Sequence, residues 1–431
     1  MRALDHREES TMHVSDNSVS LDSRYVIGTY GRLPQEFVSG SGAILVDEVG
    51  AEYIDMLSGI GCASLGHANP ELVKALTEQA SRLWQVSNYY HDENRAEMAK
   101  SLSKLLSSTT DEEGHVTGTT GTTFKTFFTN SGAESNEGAI KLCRRWGETN
   151  LGGATGIISA RKSFHGRTLA TLSATGQDVF HKSFHPMPEG FDSVPLNDLV
   201  ALTNAIDNPG ESTGPVCAVL LECIQGEGGV WPADLDYLRA VRQLCDERGI
   251  LLAIDEVQTG VFRTGAPFSY QRAGIEADVV SMAKGIASGF PTGAVAARDK
   301  VADLLRPGDH GSTFGGNALA AAVGRRALEL MAEIDLGEHV IAVGNHFAER
   351  LAKLPHVVQV RGAGLMRGAQ LDVPVATPMV EEGLKIAENG RRGLVLNHIG
   401  DSILRFLPPL VITKDQIDEA IDTLAELLAK Y

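Results

Sequence analysis

Short aliphatic segments alternate with longer amphipathic segments through the middle of this chain, and this alternation constrains the fold more than any other feature. The aliphatic segments are TFKTFFTN (123–130), GIISA (156–160), VCAVLLE (216–222), ILLAIDE (250–256), DVVSMAK (278–284) and TGAVAA (292–297). The segments between them, such as AESNEGAIKLCRRWGE, repeat apolar residues at the spacing of a helix face. Strands that alternate with helices build a mostly parallel sheet with helices on both faces. We therefore predict an α/β fold.

The predicted domain organisation follows from where this alternation starts and stops. It spans roughly residues 70–324, which we assign to a large domain. Before it, within residues 25–69, the segment GAILVDEVGAEYIDM is typical of two antiparallel strands joined by an EVGA turn. After it, residues 325–431 begin with a helix near 326–334 and end with another helix, so both flanking pieces are expected to share a smaller α+β domain. The polar residues 1–24 lack the apolar core of a secretory signal and are predicted to form a mobile tail, or part of an arm that orders only in an oligomer.

Composition argues against several classes of function. No run approaches the ~18 consecutive apolar residues of a membrane span. A formal net charge of −17 disfavours nucleic acid and anionic membranes as partners, because both bind basic surfaces. The five cysteines form no C-x-x-C pair, so we expect no metal site and no disulfide framework; they are Cys62, Cys143, Cys217, Cys223 and Cys245. This cysteine usage fits a cytoplasmic protein.

Two further segments call for an interpretation. Residues 107–123, SSTTDEEGHVTGTTGTT, are low in complexity and lack core-forming side chains, so they are predicted to be a solvated loop. The segment RGAGLMRGAQ loosely matches a dinucleotide-binding fingerprint. Its glycine spacing is wrong, and a strand-like segment follows where a helix would have to begin, so we reject that function.

One lysine stands alone among small and apolar neighbours in SMAKGIASGFP. Burial at a strand end would lower the pKa of the Lys284 ammonium and leave an amine able to attack a carbonyl and form a Schiff base. Taken alone, the same sequence pattern also fits a lysine whose long side chain extends from the strand end to solvent. Asp255, at the end of the preceding apolar run, would likewise be explained by a structural ion pair if it stood alone.

The combination of these residues is more specific than each one. Asp255 and Lys284 end successive predicted strands, and parallel sheets bind ligands beyond the carboxyl ends of their strands. A buried carboxylate and a Schiff-base lysine at one sheet edge suggest pyridoxal 5′-phosphate, whose ring nitrogen needs an acidic partner. TNSGAESNEG provides a tight turn and a helix N-terminus for the phosphate, unless Ser131 simply caps an ordinary helix. SFHGRTLATLS adds Phe164 to cover a flat ring and Arg167 to hold a carboxylate.

Together these segments resemble the class III aminotransferases of the fold-type I pyridoxal-phosphate enzymes. The resemblance covers about residue 25 to the C-terminus and rests on GHANPEL, NSGAESNEGAIKL, SFHGRT, IQGEGGV, DEVQTGVFRTG, SMAKG, HGSTFGGNALA and ILRFLPPL. It implies a large cofactor-binding domain with a mostly parallel sheet, and a smaller α+β domain formed from both ends of the chain. It also implies a homodimer whose two active sites are shared between the subunits.

The resemblance implies a role for each matching residue. Lys284 would be the catalytic residue, forming the Schiff base and moving the substrate proton. Further cofactor contacts would come from Gly132 and Ala133 at the phosphate, Phe164 on the ring face, Asp255 at the ring nitrogen, Gln258 at the phenolic oxygen, and Thr313 of the other subunit at the phosphate. Substrate contacts would come from Arg167, Ser312, and Arg405 with its switchable partner Glu227. The family usually has Thr at the position of Ala133 and Pro at that of Cys223.

Within the family, the motifs are most similar to those of members that use acetylornithine. The implied reaction transfers an amino group from N2-acetyl-L-ornithine to 2-oxoglutarate, giving N-acetyl-L-glutamate 5-semialdehyde and L-glutamate in arginine biosynthesis. Ornithine, succinylornithine, 4-aminobutyrate and lysine-type aminotransferases remain open alternatives, as does a mutase or racemase. The pair Arg167 and Arg405 favours a transaminase, because a mutase needs no second carboxylate clamp. Intact Lys284 and Asp255 argue against a non-catalytic cofactor-binding protein.

Overall fold

A computed structural model describes residues 18–431 of the chain. The helices are α1 (Ser18–Tyr25), α2 (Ser58–Gly61), α3 (Pro70–Ala80), α4 (Glu93–Leu106), α5 (Gly132–Asn150), α6 (Leu169–Ala174), α7 (Leu199–Asp207), α8 (Leu235–Arg248), α9 (Asp299–Ala302), α10 (Ala318–Glu333), α11 (Leu336–Leu351), α12 (Ala376–Lys385) and α13 (Lys414–Leu428). Short 3₁₀ helices cover Asp178–Phe180, Ser269–Ala273, Lys284–Ala287 and Ile386–Asn389. Of the predicted N-terminal tail, residues 1–17 lie outside the described residues.

The strands lie in one large sheet and several small ones. They are β1 (Phe37–Ser41), β2 (Ile44–Asp47), β3 (Glu52–Asp55), β4 (Ser108–Thr110), β5 (Val116–Thr119), β6 (Phe124–Thr129), β7 (Gly156–Ala160), β8 (Phe191–Val194), β9 (Val216–Glu222), β10 (Ile224–Gln225), β11 (Trp231–Pro232), β12 (Leu251–Asp255), β13 (Val279–Met282), β14 (Gly293–Arg298), β15 (Val357–Ala363), β16 (Met366–Leu371), β17 (Gly393–Val395), β18 (Asn397–Ile399) and β19 (Ile403–Phe406).

The central sheet has seven strands in the order β6-β14-β13-β12-β9-β7-β8. All neighbours pair in parallel except β14, which is antiparallel to both β13 and β6. Every residue of β9 and β12 is buried, because helices cover both faces of the sheet. Each predicted aliphatic segment contributes a strand to this sheet, and the prediction of an α/β fold is confirmed.

Both ends of the chain contribute to one four-stranded sheet beside the central one. Strands β1, β2 and β3 are antiparallel, and β17 from the C-terminal region joins them in parallel with β3. The turn between β2 and β3 is closed by the Asp47 carboxylate, which accepts hydrogen bonds from the backbone N–H groups of Val49 and Ala51. The predicted boundary between residues 324 and 325 falls inside α10, which packs against α3 and α4. The division into domains stays a prediction.

The prediction of a solvated loop for residues 107–123 is wrong in part. Most of the segment is exposed or half-buried, but Ser107 and Gly114 are buried, and β4 and β5 pair in it as an antiparallel hairpin. Its threonines favour a strand because they are β-branched. The Asp111 carboxylate closes the turn by accepting hydrogen bonds from the backbone N–H groups of Gly114 and His115. The segment RGAGLMRGAQ forms the β15–β16 hairpin, so it contains no strand-to-helix turn of the dinucleotide-binding kind.

The helices that cover the sheet are amphipathic. Helix α8 buries Tyr237, Leu238, Val241, Leu244 and Cys245, which recur every three or four residues on one face. Within residues 18–431, no helix has both the length and the apolar character needed to cross a membrane.

Candidate active site

The carboxyl ends of the parallel strands form one edge of the central sheet, and a cavity of about 470 Å³ lies over it. Asp255, the last residue of β12, is in register with Glu222 on β9 and Ser281 on β13. Lys284 follows β13 by two residues. The predicted site residues that line this cavity are Gly132, Ala133, Phe164, Arg167, Glu227, Asp255, Gln258 and Lys284. The structure therefore brings most of the predicted site together.

Lys284 occupies an unusual backbone conformation at the floor of this cavity. Its φ is 46°, in the left-handed region that non-glycine residues rarely adopt, and such strain is often found at functional sites. Burial lowers the pKa of the Lys284 ammonium, and the nearby Arg405 charge lowers it further. Nearby Cys62, Glu227 and Asp255 act to raise it but only partly offset these effects. A larger fraction of this amine is consequently uncharged than in an exposed lysine.

The Asp255 carboxylate is buried and held by donors on two sides. Its Oδ2 accepts hydrogen bonds from Asn136 Nδ2 at 2.7 Å and His165 Nδ1 at 2.8 Å, and its Oδ1 accepts one from the Val257 N–H at 2.9 Å. The Asn136 amide is itself fixed, since its oxygen accepts a hydrogen bond from Ser281 Oγ at 2.5 Å. The carboxylate therefore has one orientation.

Asn136 and His165 were not assigned roles from the sequence, although both lie within quoted motifs. Asn136 is a polar residue on the face of α5 that packs on the sheet, where an apolar residue would be expected. Burial alone would lower the pKa of His165, but the hydrogen bond and charge of Asp255 and the charge of Glu222 raise it overall. Its Nε2 atom is buried without a hydrogen-bond partner among the described residues. Asn136 could have been recognised as a polar residue on a helix face that packs on the sheet, and His165 as the polar residue next to Phe164.

The N-terminus of α5 points at the same cavity. Ser131 caps the helix by accepting a hydrogen bond from the Glu134 N–H at 3.2 Å. The N–H groups of Gly132 and Ala133, in the first turn, have no intrahelical partner and can bind an anion. A Cβ on Gly132 would come within 2.6 Å of Val257 Cγ1, so this close approach requires glycine.

An aromatic wall and a free guanidinium form the other side of the cavity. The Arg167 guanidinium carbon lies 3.9 Å from the Phe180 ring centroid and 5.3 Å from that of Phe164. Arg167 is exposed, and within residues 18–431 no carboxylate oxygen lies within 4.0 Å of it. It is therefore available to a ligand carboxylate.

Arg405 lies beside the cavity and is already paired. Its Nη1 donates to Glu227 Oε1 at 2.5 Å, and its Nε donates to Asn397 Oδ1 at 2.7 Å. Arg405 is 2% exposed, whereas the Glu227 side chain is 33% exposed, so only the guanidinium of this ion pair is shielded from water. Asn397, which lies opposite Arg405 on the neighbouring strand β18, carried no signal in the sequence.

Ser312 and Thr313 do not line the cavity of their own chain. Ser312 Oγ accepts a hydrogen bond from Asn130 Nδ2 at 3.2 Å, while Thr313 is exposed. Asn88 Nδ2 donates to the Ser312 carbonyl at 2.9 Å and holds this loop against residues 84–90.

Two further groups at the cavity were missed. Cys62 lines it, and burial raises the pKa of its thiol although Lys284 and Arg263 both act to lower it. Glu222 also lines it, and burial raises the pKa of its carboxyl to about 7. Its oxygens accept hydrogen bonds from the Phe164 N–H at 3.0 Å and the Gly226 N–H at 3.3 Å. Cys62 carried no local sequence signal, whereas Glu222 ends the aliphatic segment 216–222 just as Asp255 ends its own and could have been found in the same way.

Glu256, next to Asp255, points away from the cavity and provides a test of the site's electrostatics. Burial raises the pKa of its carboxyl to about 7 from 4.5, although hydrogen bonds from Thr259 Oγ1 and the Tyr270 N–H oppose this. A raised pKa in the folded state means that its stabilising contribution is complete below about pH 4.5 and is lost as the pH rises through 7.

We expect Glu256→Gln to remove about 2.5 kcal/mol of the fall in unfolding free energy between pH 5 and pH 8, because most of the change that this carboxyl causes lies in that interval. Urea unfolding of both proteins at several pH values measures this difference. Parallel pH profiles for the variant and the unaltered chain would show that Glu256 titrates normally.

Comparison with known proteins identifies the family of this fold and site. The family model described as aminotransferase class-III matches residues 29–428, nearly the whole chain. The chain belongs to the class III aminotransferases. Enzymes of this class use pyridoxal 5′-phosphate, so the cofactor expected from Lys284 and Asp255 is confirmed.

Individual members of the family are similar over almost their full length. The acetylornithine aminotransferase of Caldanaerobacter subterraneus is 42% identical over 417 residues, covering 96% of this chain and 99% of that protein. The N-acetylornithine aminotransferase structure from Stenotrophomonas maltophilia is 34% identical, with a TM-score of 0.75 and coverage of 96% and 98% of the two chains. An ornithine aminotransferase structure from Toxoplasma gondii, with PLP at its active site, is 29% identical, with a TM-score of 0.84 and coverage of 95% and 94%.

The cavity of this aminotransferase fits pyridoxal phosphate on its own evidence. Gln258 Oε1 is buried at the cavity without a hydrogen-bond partner among the described residues, as expected for a group that awaits a ligand. Gly132 packs closely against Val257, and the N–H groups of Gly132 and Ala133 at the N-terminus of α5 can bind a phosphate. Asp255 presents a fixed carboxylate at the sheet edge, and Lys284 presents an amine with a lowered pKa.

Proposed function

We propose that this chain transfers the amino group of N2-acetyl-L-ornithine to 2-oxoglutarate, yielding N-acetyl-L-glutamate 5-semialdehyde and L-glutamate in arginine biosynthesis. The observation that carries this choice of donor is the state of the cavity's carboxylates. Among the described residues that line it, the acidic ones are Glu222, Glu227 and Asp255, and each is already hydrogen-bonded within the protein. A second ammonium group on the donor would therefore find no free acidic partner.

Acetylation of the donor removes this difficulty. Free ornithine carries two ammonium groups, and the one next to its carboxylate would lie near Arg167 when that carboxylate binds there. Desolvation and like charge would both oppose this arrangement. An acetylamino group is neutral and needs only hydrogen bonds. The 42% identity to the Caldanaerobacter acetylornithine aminotransferase supports the same donor.

Each of the cavity residues would have a separate role in the first half-reaction. When bound, pyridoxal phosphate supplies an electron sink for the carbon that bears the reacting amino group. Lys284 Nζ, with its lowered pKa, is suited to take the proton from that carbon and to hold it for the second proton transfer, which goes to a different atom and completes the half-reaction. Asp255 would hold a proton on the ring nitrogen, and Asn136 and His165 would keep its carboxylate in place. Arg167 would bind the donor's carboxylate as a bidentate partner.

Arg405 and Glu227 would govern the second half-reaction. Glutamate and 2-oxoglutarate each carry a second carboxylate, which needs a second cation. The Arg405–Glu227 pair would open to accept it and close again for a donor without that group. Closure matters because a buried guanidinium left without a partner is costly.

We further propose that the enzyme is a cytoplasmic homodimer. Thr313 is exposed beside a group of exposed aromatic residues, including Trp84, Tyr89 and Phe314. Apolar surface of this kind is typical of a protein interface. In such a dimer, Thr313 would complete the phosphate site of the partner subunit, where the N–H groups of Gly132 and Ala133 form the other half, and Ser312 would lie near the substrate.

A panel of amino donors assayed with 2-oxoglutarate tests the proposed substrate. We expect kcat/KM for acetylornithine to exceed that for ornithine and for 4-aminobutyrate by at least about tenfold, since rejecting an unpaired charge costs more than 1.4 kcal/mol. Arg167→Ala should lower the rate of the acetylornithine half-reaction by roughly 100-fold, whereas Arg405→Ala should mainly impair glutamate and 2-oxoglutarate.

The panel also decides between acetylornithine and the main alternative. The Toxoplasma ornithine aminotransferase has the higher TM-score, 0.84 against 0.75, but it has the lower identity, and backbone similarity does not determine the side chains of the cavity. A panel in which ornithine ranked above acetylornithine would overturn the proposed donor and leave the aminotransferase family unaffected.

A further inference from the structure

A second cavity, of about 310 Å³, lies away from the active site where three parts of the chain meet. One part is the β4–β5 turn, and another is the segment that follows the Asp255 region and includes Thr264 and Arg272. The third comprises Asn345 on α11 and the β15–β16 turn, which brings in Arg367. None of the residues that line this cavity lines the active-site cavity.

Arg367 is buried in this cavity without a counter-ion. It is 8% exposed, and three of its N–H groups donate to the carbonyl oxygens of Gly364, Gly362 and Gly344 at 2.8–3.1 Å. A guanidinium has five N–H donors, so two remain for another partner. No carboxylate oxygen of residues 18–431 lies within 4.0 Å of it.

Arg272 supplies a second cation at this cavity. Its Nε donates to the Glu112 carbonyl at 2.8 Å, and it too has no carboxylate within 4.0 Å among the described residues. Arg272 is half-buried, and burial lowers its pKa although the nearby charges of Glu113 and Glu112 act to raise it. Burial together with the charge of Arg272 lowers the pKa of Arg367 to about 10. An anion between the two guanidinium groups would relieve this repulsion.

The remaining polar groups also favour an anion. Thr264 is 1% exposed, and its hydroxyl is buried without a hydrogen-bond partner in the described structure. Such a group is costly to bury unless a ligand satisfies it. The Glu112 carboxylate is engaged by Arg239 Nη2 at 2.6 Å, and among the described lining residues the exposed Glu113 is the carboxylate without a salt bridge. Two arginines of the lining, against one carboxylate, are therefore without an ionic partner, in a chain whose net charge is −17.

We propose that this cavity is a binding site for a small oxyanion, a carboxylate or a phosphate, held between Arg272 and Arg367 with a hydrogen bond from Thr264. The planar guanidinium groups suit both anions. The site also has a route to the catalytic centre. Arg367 and Gly368 on β16 pair with Phe406 and Arg405 on β19, so a ligand here contacts the strand beside the Arg405–Glu227 pair.

Calorimetric titration of the full-length holoenzyme tests this proposal, with malonate as the carboxylate probe and inorganic phosphate as the other. We expect at least one probe to bind, and both Arg272→Gln and Thr264→Val to weaken its binding roughly tenfold or more, since each removes a hydrogen bond to a charged ligand. The probe with the lower Kd identifies the class of ligand, carboxylate or phosphate.

Matched variants separate this site from the active site and from general surface charge. Arg248→Gln removes a surface arginine that pairs with Asp207 and lines neither cavity, and it should bind the probe as the unaltered enzyme does. Arg167→Gln removes the free arginine of the active site, so it should weaken any malonate binding there and leave binding at this cavity unchanged. Thr264→Val keeps the test valid if Arg272→Gln fails to fold. The proposal is overturned if neither probe binds, if Thr264→Val binds normally, or if Arg248→Gln or Arg167→Gln abolishes all probe binding.

Discussion

Replacing Lys284 by alanine is expected to abolish transamination while the chain remains folded. The substitution removes both the amine that bonds to the cofactor and the group that moves the substrate proton. Loss of a general acid–base group alone costs up to about 10⁴-fold in rate, so we expect a fall of at least roughly that size. Stability should change little, because the truncated side chain extends into a cavity and alanine has the same Cβ in the same left-handed conformation.

The chain offers a matched control for this experiment. Lys162 is also a lysine with positive φ, at 66°, but it is exposed and does not line the cavity. Lys162→Ala should therefore retain nearly full activity with acetylornithine and 2-oxoglutarate. Measured steady-state rates close to those of the unaltered enzyme in Lys284→Ala would contradict the whole assignment of the site, provided that urea unfolding shows both variants to be equally folded.

The sheet could be predicted from the sequence because its signal is local. The buried strands are continuous apolar runs, and helix faces repeat at a fixed spacing, so each element is visible in its own residues. Asp255 and Lys284 could be paired for a related reason. They end successive strands, and neighbouring parallel strands present their ends at one edge.

The rest of the site depends on contacts between distant parts of the chain. His165 is 90 residues from Asp255 in the sequence, and Glu227 is 178 residues from Arg405. Neither contact can therefore be predicted from the spacing or periodicity of residues. The role of Arg405 was implied by family resemblance alone, and it stays a prediction. The β4–β5 hairpin was missed for a different reason, since its short strands, one half-buried and one exposed, have no apolar alternation. The second cavity combines segments more than 250 residues apart, which no local pattern indicates.

Asp255→Asn is expected to slow the chemical step roughly 100-fold, and the structure indicates why an isosteric change should be so costly. The carboxylate accepts hydrogen bonds on both oxygens, from Asn136 and His165 on one and from the Val257 N–H on the other. An amide has one acceptor and one donor end, so either orientation turns an N–H group against another donor. That conflict should reduce the free energy of unfolding by about 1–3 kcal/mol.

The larger effect is on catalysis. A neutral amide cannot hold a proton on the ring nitrogen by charge, and breaking a buried ion pair costs about 3 kcal/mol or more. Single-turnover rates with acetylornithine should therefore fall while donor affinity changes little, because Arg167 is untouched. Glu256→Gln is the matched control, since it neutralises the adjacent buried carboxylate that points away from the cavity. If both variants turned over at the same rate as the unaltered enzyme, Asp255 would be a structural anion, and the ring nitrogen would need another partner.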